Sequence, residues 1–286
     1  MAEIHHFTYG WITPVFSYAL SVLGSLLALV CTARARSTVE PGRRARWLAL
    51  AAWALGGTGI WVMHFMAMLG FTVPGSPVKY DVATTIASWV TAITVVGIGL
   101  FIVGYGKRSA FKVVVGGTFA GVGVAAMHYT GMAAMRIEGN VGYDRRLVAA
   151  SVAIAVVAAT VALWFTITLR RAVAIGIAAL IMGVAVNGMH FTGMAAMRVR
   201  LSDTANGLSG VPALLFLGPI MLFVMLVVIT LAYAMLRSTS SEVPWAYSEP
   251  PAEHPTTPPP PRPSGVVTPP RQRTSHRPGA GYVRSR

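Results

Sequence analysis

The chain has 286 residues, of which 55% are hydrophobic and only 11% are charged. This composition excludes an ordinary soluble globular domain and is typical of a protein that crosses a membrane several times. The formal net charge of +14 comes from loops and the C-terminal segment rather than from one helical face, so we expect no nucleic-acid partner.

Seven uncharged apolar stretches follow one another, each longer than the roughly 20 residues that cross a bilayer as a helix. Because lipid offers no hydrogen-bond partner to the backbone, runs of this length cross it only as helices. The predicted spans are residues 12–33, 47–70, 82–105, 113–135, 147–169, 172–197 and 213–236. The predicted fold class is therefore an all-α integral membrane protein, with a seven-transmembrane-helix bundle over residues 12–236.

Basic residues are distributed unevenly between the two sets of loops. Seventeen of the 23 lysines and arginines fall on the side of the C-terminus, and six fall on the opposite side. Cytoplasmic loops are enriched in Lys and Arg. We therefore predict that residues 1–11 form an extracytoplasmic N-terminal segment and that the C-terminus lies inside.

Residues 237–286 have a different composition, with twelve prolines among Ser, Thr and Arg. Such a segment cannot build a hydrophobic core, so we predict a disordered cytoplasmic tail. Its TPPPPRP run at 257–263 could bind a partner domain as a polyproline II helix. The composition favours the simpler alternative of a solvated basic segment near anionic lipid.

A Met-His motif recurs in three of the predicted helices, as WVMHFMAMLG at 61–70, AAMHYTGMAAM at 125–135 and NGMHFTGMAAM at 187–197. The histidines are His64, His128 and His190, and they are 64 and 62 residues apart, the length of two spans and two loops. All three fall on even-numbered helices that run from inside to outside. Each is about six residues from the outer end, so all three should lie roughly 10 Å deep at about 1.5 Å per residue.

Small residues and methionines accompany each histidine at helical spacing. Four residues after the histidines, on the same face, stand Met68, Met132 and Met194. Directly before them stand Met63, Met127 and Met189, which could turn toward the same centre or toward a neighbouring helix. Seven residues before them, predicted on the same face, stand Gly57, Gly121 and Gly183. Ala67, Gly131 and Gly193 follow three residues after, and such small residues let helices approach closely in lipid.

Imidazole and thioether groups together indicate copper, because methionine is a poor ligand for Mg²⁺, Ca²⁺ or Zn²⁺. Neutral ligands leave the ion's charge uncompensated in a low dielectric, which favours Cu(I) over Cu(II). We predict that the three histidines supply three nitrogens and that Met68, Met132 and Met194 supply axial or alternative sulfur ligands. An open position could take O2, NO or CO.

Two other interpretations of the motifs remain open. The protein could handle copper or carry electrons through a b-type haem held by histidines from two helices, although a third histidine would then stay unpaired. The histidine and methionine faces could also merely pack, which three copies at one depth make less attractive. Asn187, three residues before His190, either orients a histidine or bonds to another helix.

Acidic residues are absent from all seven predicted spans. Proton-coupled pumps, general acid-base catalysts and metal hydrolases usually need such carboxylates. The chain also has no phosphate-binding loop or nucleophile motif in a credible context. We therefore expect no enzymatic activity.

The three motifs, read as Met-His-[Phe/Tyr]-[Thr/Met]-[Gly/Ala]-Met, resemble the MHYT domain, a bacterial seven-helix membrane module, over about residues 5–236. The first copy departs from the pattern with Met66, where the others have Thr130 and Thr192. The resemblance implies a plasma-membrane sensor whose motif residues hold copper near the outer face and respond to a diatomic gas or redox state. Many members continue into diguanylate cyclase or phosphodiesterase domains. The fifty-residue tail has no room for one, so the cytoplasmic signalling partner is unknown.

Overall fold

The computed structural model describes residues 8–107, 109–201 and 209–240. Within these residues, seven helices are long and apolar enough to cross a membrane, which confirms the predicted seven-helix membrane fold. They are α1 (Ile12–Ser37), α2 (Pro41–Met68), α3 (Val82–Gly104), α4 (Ala110–Ala133), α5 (Arg145–Thr168), α6 (Ala172–Ala195) and α7 (Leu217–Ser240). A 3-10 turn, Ala213–Phe216, precedes α7. Residues 1–7 and the predicted tail from 241 onward lie outside the described residues.

The inner ends of the first two helices differ from the prediction. Helix α1 continues to Ser37, beyond the predicted end at 33, and α2 begins at Pro41 rather than at 47. The predicted spans end where the arginines begin. The helices themselves continue past these arginines, because a long arginine side chain can extend from a helix to the polar interface. Pro41 suits the first turn of a helix, where its missing N–H has no partner to lose.

Six helices form a closed ring in which each contacts the next in chain order, from α1 to α6, and α6 contacts α1 again. Helix α7 packs against the middle of α2. Helix α6 also contacts α4 and the outer end of α2, so the even-numbered helices meet one another as well. The three helices that carry the Met-His motifs are therefore neighbours inside one bundle.

Helices α1, α3 and α5 are each joined to the following helix by one backbone hydrogen bond at the outer end. The N–H groups of Thr8, Asp81 and Asp144 donate to carbonyl oxygens at distances of 3.0, 2.9 and 2.8 Å. The acceptors are Gly70, Ala134 and Ala196, each six residues after a motif histidine. The three helix pairs are thus repeats of one structural unit.

Short strands in the outer loops cover the helix ends. They are β1 (Lys79–Tyr80), β2 (Met135–Arg136), β3 (Gly139–Tyr143), β4 (Met197–Leu201) and β5 (Val211–Pro212). Strand β1 pairs antiparallel with both β2 and β5, and β3 pairs antiparallel with β4. Tyr80 of β1 is only 1% exposed and packs against the rings of Phe65 and Phe216, so the loops form an apolar cover over the bundle.

The middle of α2, Trp53–Val62, is a π-helix with the sequence WALGGTGIWV. There α1 and α2 come so close that a Cβ on Gly24 would lie 2.3 Å from the backbone nitrogen of Gly59. Glycine is therefore required at this contact, because the obstructing atoms belong to the backbone and cannot rotate away.

The glycines seven residues before the histidines do not face a common centre, so that part of the predicted face is wrong. Gly121 lies against the backbone of α5, with a Cβ reaching to 2.5 Å from the Cα of Val156. Gly183 faces Tyr18 and Val22 of α1, whereas Gly57 faces Phe223 of α7. Seven residues is nearly two helical turns, but the even helices converge only at their outer ends and contact other neighbours below. These glycines therefore fit the even helices to those neighbours.

Candidate metal centre

Three imidazole rings from three helices meet in the outer part of the bundle. His64 of α2, His128 of α4 and His190 of α6 are 2%, 0% and 1% exposed. The Nδ1 atom of His64 lies 3.0 Å from Nδ1 of His190 and 3.1 Å from Nδ1 of His128. One ring nitrogen from each histidine lies within 4.8 Å of the other two. The structure thus brings the three predicted histidines to one point.

The histidine cluster lies slightly closer to the outer surface than expected. His64 is four residues from the end of its helix, and His128 and His190 are five residues from theirs. At about 1.5 Å per residue the depth is roughly 6–8 Å. The difference arises because each helix ends two residues early, and after α4 and α6 the chain turns into strands β2 and β4.

The rings stand nearly perpendicular to one another, with centroids 4.9–5.1 Å apart and interplanar angles of 74–84°. This arrangement directs Nε2 of His64 toward Gly131 of α4, and Nε2 of His128 toward Gly193 of α6. A Cβ on these glycines would lie 2.4 and 2.3 Å from the two nitrogens. Glycine three residues after one histidine therefore makes space for the histidine of the preceding repeat.

The nitrogen positions fit a three-coordinate metal ion. Metal–nitrogen bonds of about 2.0 Å place three ligand nitrogens about 3.5 Å apart in a plane. The two Nδ1 separations of 3.0 and 3.1 Å are somewhat shorter than that spacing, and the ligand nitrogens of all three histidines lie within 4.8 Å of one another. In the part of the chain that the structure describes, no other group of three His, Cys, Asp or Glu side chains has this proximity.

The second nitrogen of each ring, Nε2, points away from the point where the Nδ1 atoms meet. The Nε2 atoms of His64 and His128 make no hydrogen bond to any described residue. Protonated Nε2 leaves Nδ1 with its lone pair directed at the other rings, and a neutral imidazole binds metal through such a lone pair. The chemistry of the donors and their placement therefore both suit a soft or borderline cation.

The six motif methionines are all buried, like the histidines that they flank in the sequence. Their exposures are 0% for Met63 and Met127, 1% for Met68, 2% for Met132, and 3% for Met189 and Met194. Met189 also lines a cavity on the inner side of the histidines. The assignment of sulfur ligands among them stays a prediction.

Two polar residues near the motifs serve contacts between helices. Ser17 of α1 donates to Oδ1 of Asn187 at 2.9 Å, and Nδ2 of Asn187 donates to the carbonyl of Gly183. Tyr129 hydrogen-bonds Ser151 of α5 at 2.7 Å. Of the two interpretations of Asn187, the structure supports the hydrogen bond to another helix.

Ion pairs at the outer edge repeat with the motifs, and these were not predicted from the sequence. Asp81 and Asp144 cap α3 and α5, and they lie 3.7 and 3.9 Å from Arg136 and Arg198. Hydrogen bonds from Thr84 hold the pKa of Asp81 below its usual value, and the charge of Arg136 adds to the effect. Both arginines stand eight residues after a motif histidine, so aligning the repeats would have revealed them.

A family model described as "Bacterial signalling protein N terminal repeat", named MHYT, matches the chain three times, at residues 57–116, 121–179 and 183–246. The chain belongs to the MHYT family. Each match begins at the glycine seven residues before a motif histidine, so the sequence repeat follows the structural one. The protein is a multi-pass plasma-membrane protein of a sensory, signal-transducing family.

Curated relatives share this membrane region. The bifunctional diguanylate cyclase/cyclic di-GMP phosphodiesterase MucR of Pseudomonas aeruginosa is 38% identical over 203 residues, 68% of this chain and 29% of MucR. The cyclic di-GMP phosphodiesterase NbdA of the same organism is 34% identical over 197 residues, 66% of this chain and 24% of NbdA. An uncharacterized signaling protein of Caulobacter vibrioides is 37% identical over 164 residues, 55% of this chain and 20% of that protein. The matches thus span less than a third of these relatives, and no solved structure matches the chain.

Proposed function

We propose that this MHYT domain is a membrane sensor that binds copper through His64, His128 and His190. It would report a diatomic gas or a redox change to a cytoplasmic partner. The observation that supports the copper site is the convergence of three buried imidazoles, with Nδ1 separations of 3.0 and 3.1 Å. Ionisable side chains inside a membrane are costly, and a shared metal ion accounts for three of them at one point.

Copper suits these donors better than other biological cations do. Three neutral imidazoles, with buried thioethers one helical turn away, form a soft to borderline ligand set. No carboxylate stands in the predicted spans to balance a second positive charge, so burial favours Cu(I) over Cu(II). When bound, the ion would supply one-electron redox chemistry and a coordination position for a small gas.

The arrangement of the rings argues for copper over haem. A haem with two axial histidines places its macrocycle between the two imidazoles. Here each pair of rings is in mutual contact, with centroids 4.9–5.1 Å apart, and a porphyrin would have to separate them. We therefore propose copper as the cofactor.

Signal output would pass through the helices that carry the histidines. A ligand shifts a protein between two packings only if it binds one of them better. Three helices that meet at one ion could adopt two such packings, one for each ligand or redox state of the ion. The names of MucR and NbdA suggest a partner that makes or degrades cyclic di-GMP. We propose that this chain itself has no enzymatic activity.

Copper binding is tested by Cu(I) titration of the purified full chain. His128→Ala should lower the affinity by about tenfold to a hundredfold or more, since such losses are typical when even the outer shell of a site is damaged. Met132→Leu should have a smaller effect if sulfur is an auxiliary ligand. His276→Ala, in the predicted tail, is the matched control. Equal affinity in His128→Ala and His276→Ala would contradict the ligand set.

Sensing is tested by placing residues 1–240 in the position of the matched region of MucR. Cyclic di-GMP is then measured with and without O2 or NO. The gas should change the cyclic di-GMP level produced by this chimera and should leave that of a His128→Ala chimera unaffected. A response that survives His128→Ala contradicts the proposed sensor. Altered copper uptake or export on deletion of the chain, with no gas response, would favour copper handling instead.

A further inference from the structure

An apolar cavity of about 480 Å³, here called the lateral chamber, lies between α2, α3, α4, α5 and α6. All twenty residues that line it are Ala, Val, Leu, Ile, Met or Phe. A cavity with such walls stays dry and accepts apolar guests such as xenon or benzene. The chamber therefore suits an uncharged, lipid-soluble molecule and excludes ions and polar metabolites.

The outer end of the chamber lies close to the histidine cluster, although the histidines themselves are not part of its wall. Its wall includes Ile60, Val124 and Val186, and each of these stands four residues before a motif histidine. Residues four apart lie one above the other on a helix. On α4 and α6 the chamber thus begins about one turn below the imidazoles of His128 and His190, and Met189, next to His190, also lines it.

The chamber opens on the flank of the bundle that faces lipid. The wall residues Val157 and Val161 of α5 and Ile181 of α6 are 64%, 37% and 49% exposed. They lie well inside their spans, where the surroundings are hydrocarbon. A guest that enters here comes from the bilayer, in which small apolar gases dissolve readily.

Access from the aqueous side is obstructed. The histidines are at most 2% exposed, and the outer-loop residues Phe71, Tyr80 and Met197 are 3%, 1% and 1% exposed. Water-soluble ligands therefore meet a packed cover, whereas the chamber extends from the lipid-facing flank to within about one helical turn of the cluster.

We propose that the lateral chamber binds a small uncharged gas of the class of O2, NO and CO, taken from the hydrocarbon, and admits it to the histidine cluster. Delivery of the gas to the histidine cluster rests on the proposed function, whereas the binding of an apolar guest in the chamber does not. An acyl chain could match the apolar walls, but it would seal the inner side of the site. The two parts of the proposal are tested separately.

Guest binding is tested with xenon and needs no metal. In full-length protein with labelled methionine methyl groups, Met182 and Met189 report on the chamber, and Met221, 45% exposed on α7, reports on xenon dissolved in detergent. The chamber signals should shift saturably with xenon pressure, whereas the Met221 signal should change linearly.

A matched pair of variants localises the guest. Ala158→Phe fills the chamber and should reduce the saturable shift by about fivefold or more. Ala150→Phe places the same ring on an exposed, non-lining position of the same helix and should leave the shift intact. No saturable shift in the wild type, or a stoichiometric co-purified lipid that blocks xenon, would overturn the proposal.

Delivery to the cluster is tested by the rate at which CO rebinds to the Cu(I)-loaded full chain after a light flash. Ala158→Phe should slow the association rate by about tenfold while copper content stays unchanged, and Ala150→Phe should not slow it. An unchanged rate in Ala158→Phe overturns the entry route. Saturable xenon binding in a protein that takes up no copper refutes the proposed function and supports the chamber as a binding site.

Discussion

At the scale of single residues, the site depends on two missing side chains as much as on the imidazoles that are present. Gly131 and Gly193 leave the space into which His64 and His128 extend. The first repeat has Ala67 at this position, so the three sites are not equivalent. The small residues three positions after the histidines therefore make space for the imidazole rings, in addition to letting the helices approach.

A methyl group at these glycines should disrupt the cluster. In Gly131→Ala or Gly193→Ala the new Cβ would lie 2.4 or 2.3 Å from an Nε2 atom, so a buried ring must move away from the centre. We expect a loss of about 1–3 kcal/mol of stability, typical of overpacking, together with weaker Cu(I) binding. Gly188→Ala, on α6 with open space around it, is the control and should bind Cu(I) normally. Normal binding in Gly131→Ala would contradict the tight fit.

Asp81 should make stability depend on pH. Hydrogen bonds from Thr84 lower its pKa in the folded protein, so its stabilising contribution is complete above the unfolded pKa and is lost as the pH falls through the folded one. Between about pH 5 and about pH 3 the thermal midpoint of the wild type should fall more steeply than that of Asp81→Asn. Glu138→Gln, in the same outer loops, should behave like the wild type. Parallel curves for the wild type and Asp81→Asn would refute this role.

At the scale of helices and strands, the sequence predicted what length and apolar composition determine. All seven spans were predictable because lipid tolerates only helices of about 20 residues there. The strands β1 and β5 were not, since two residues give no periodic signal. The π-helix of α2 was also unpredictable, because a helix that is apolar on all sides carries no periodic signal that separates a π-helix from an α-helix. The equal depth of the three histidines followed from counting residues along the helices, but its value did not, because each motif helix ends two residues before its predicted end.

The close contact between α1 and α2 should tolerate no side chain. Gly24→Ala would bring its Cβ to 2.3–2.6 Å from backbone atoms of Gly59 and Ala54, which forces the helices apart. We expect destabilisation of about 3 kcal/mol or more in thermal unfolding, at the upper end of overpacking costs. Gly176→Ala on α6 meets nothing within 4 Å and should be neutral or slightly stabilising. If the two variants melt alike, the helices are farther apart than described.

At the scale of the whole molecule, three helix pairs repeat one plan around a common centre. Each pair carries the same outer hydrogen bond, six residues beyond its histidine. Convergence of the histidines could be predicted from their spacing and from topology, because equal depth on three helices of one bundle permits it. The contact of the histidines through Nδ1 could not be predicted, because the rotation of the rings depends on packing across the bundle. The lateral chamber could not be predicted either, because the gap between α5 and α6 depends on the same packing.

A metal held by three helices should stabilise the bundle as a whole. A ligand present at a hundred times its Kd adds about 2.7 kcal/mol to the stability of the folded state that binds it. Cu(I) should therefore raise the melting temperature of the wild type and leave that of the triple variant His64→Leu, His128→Leu, His190→Leu unchanged. A similar rise in both proteins would place the ion elsewhere.

The central claim is that the three histidines hold copper, and metal analysis of protein extracted from membranes tests it most directly. The wild type should contain copper in stoichiometric amount with no Soret band, and the triple variant, purified in parallel and still folded, should contain none. Equal metal content in the two proteins, or a wild type that never retains copper, would contradict the claim.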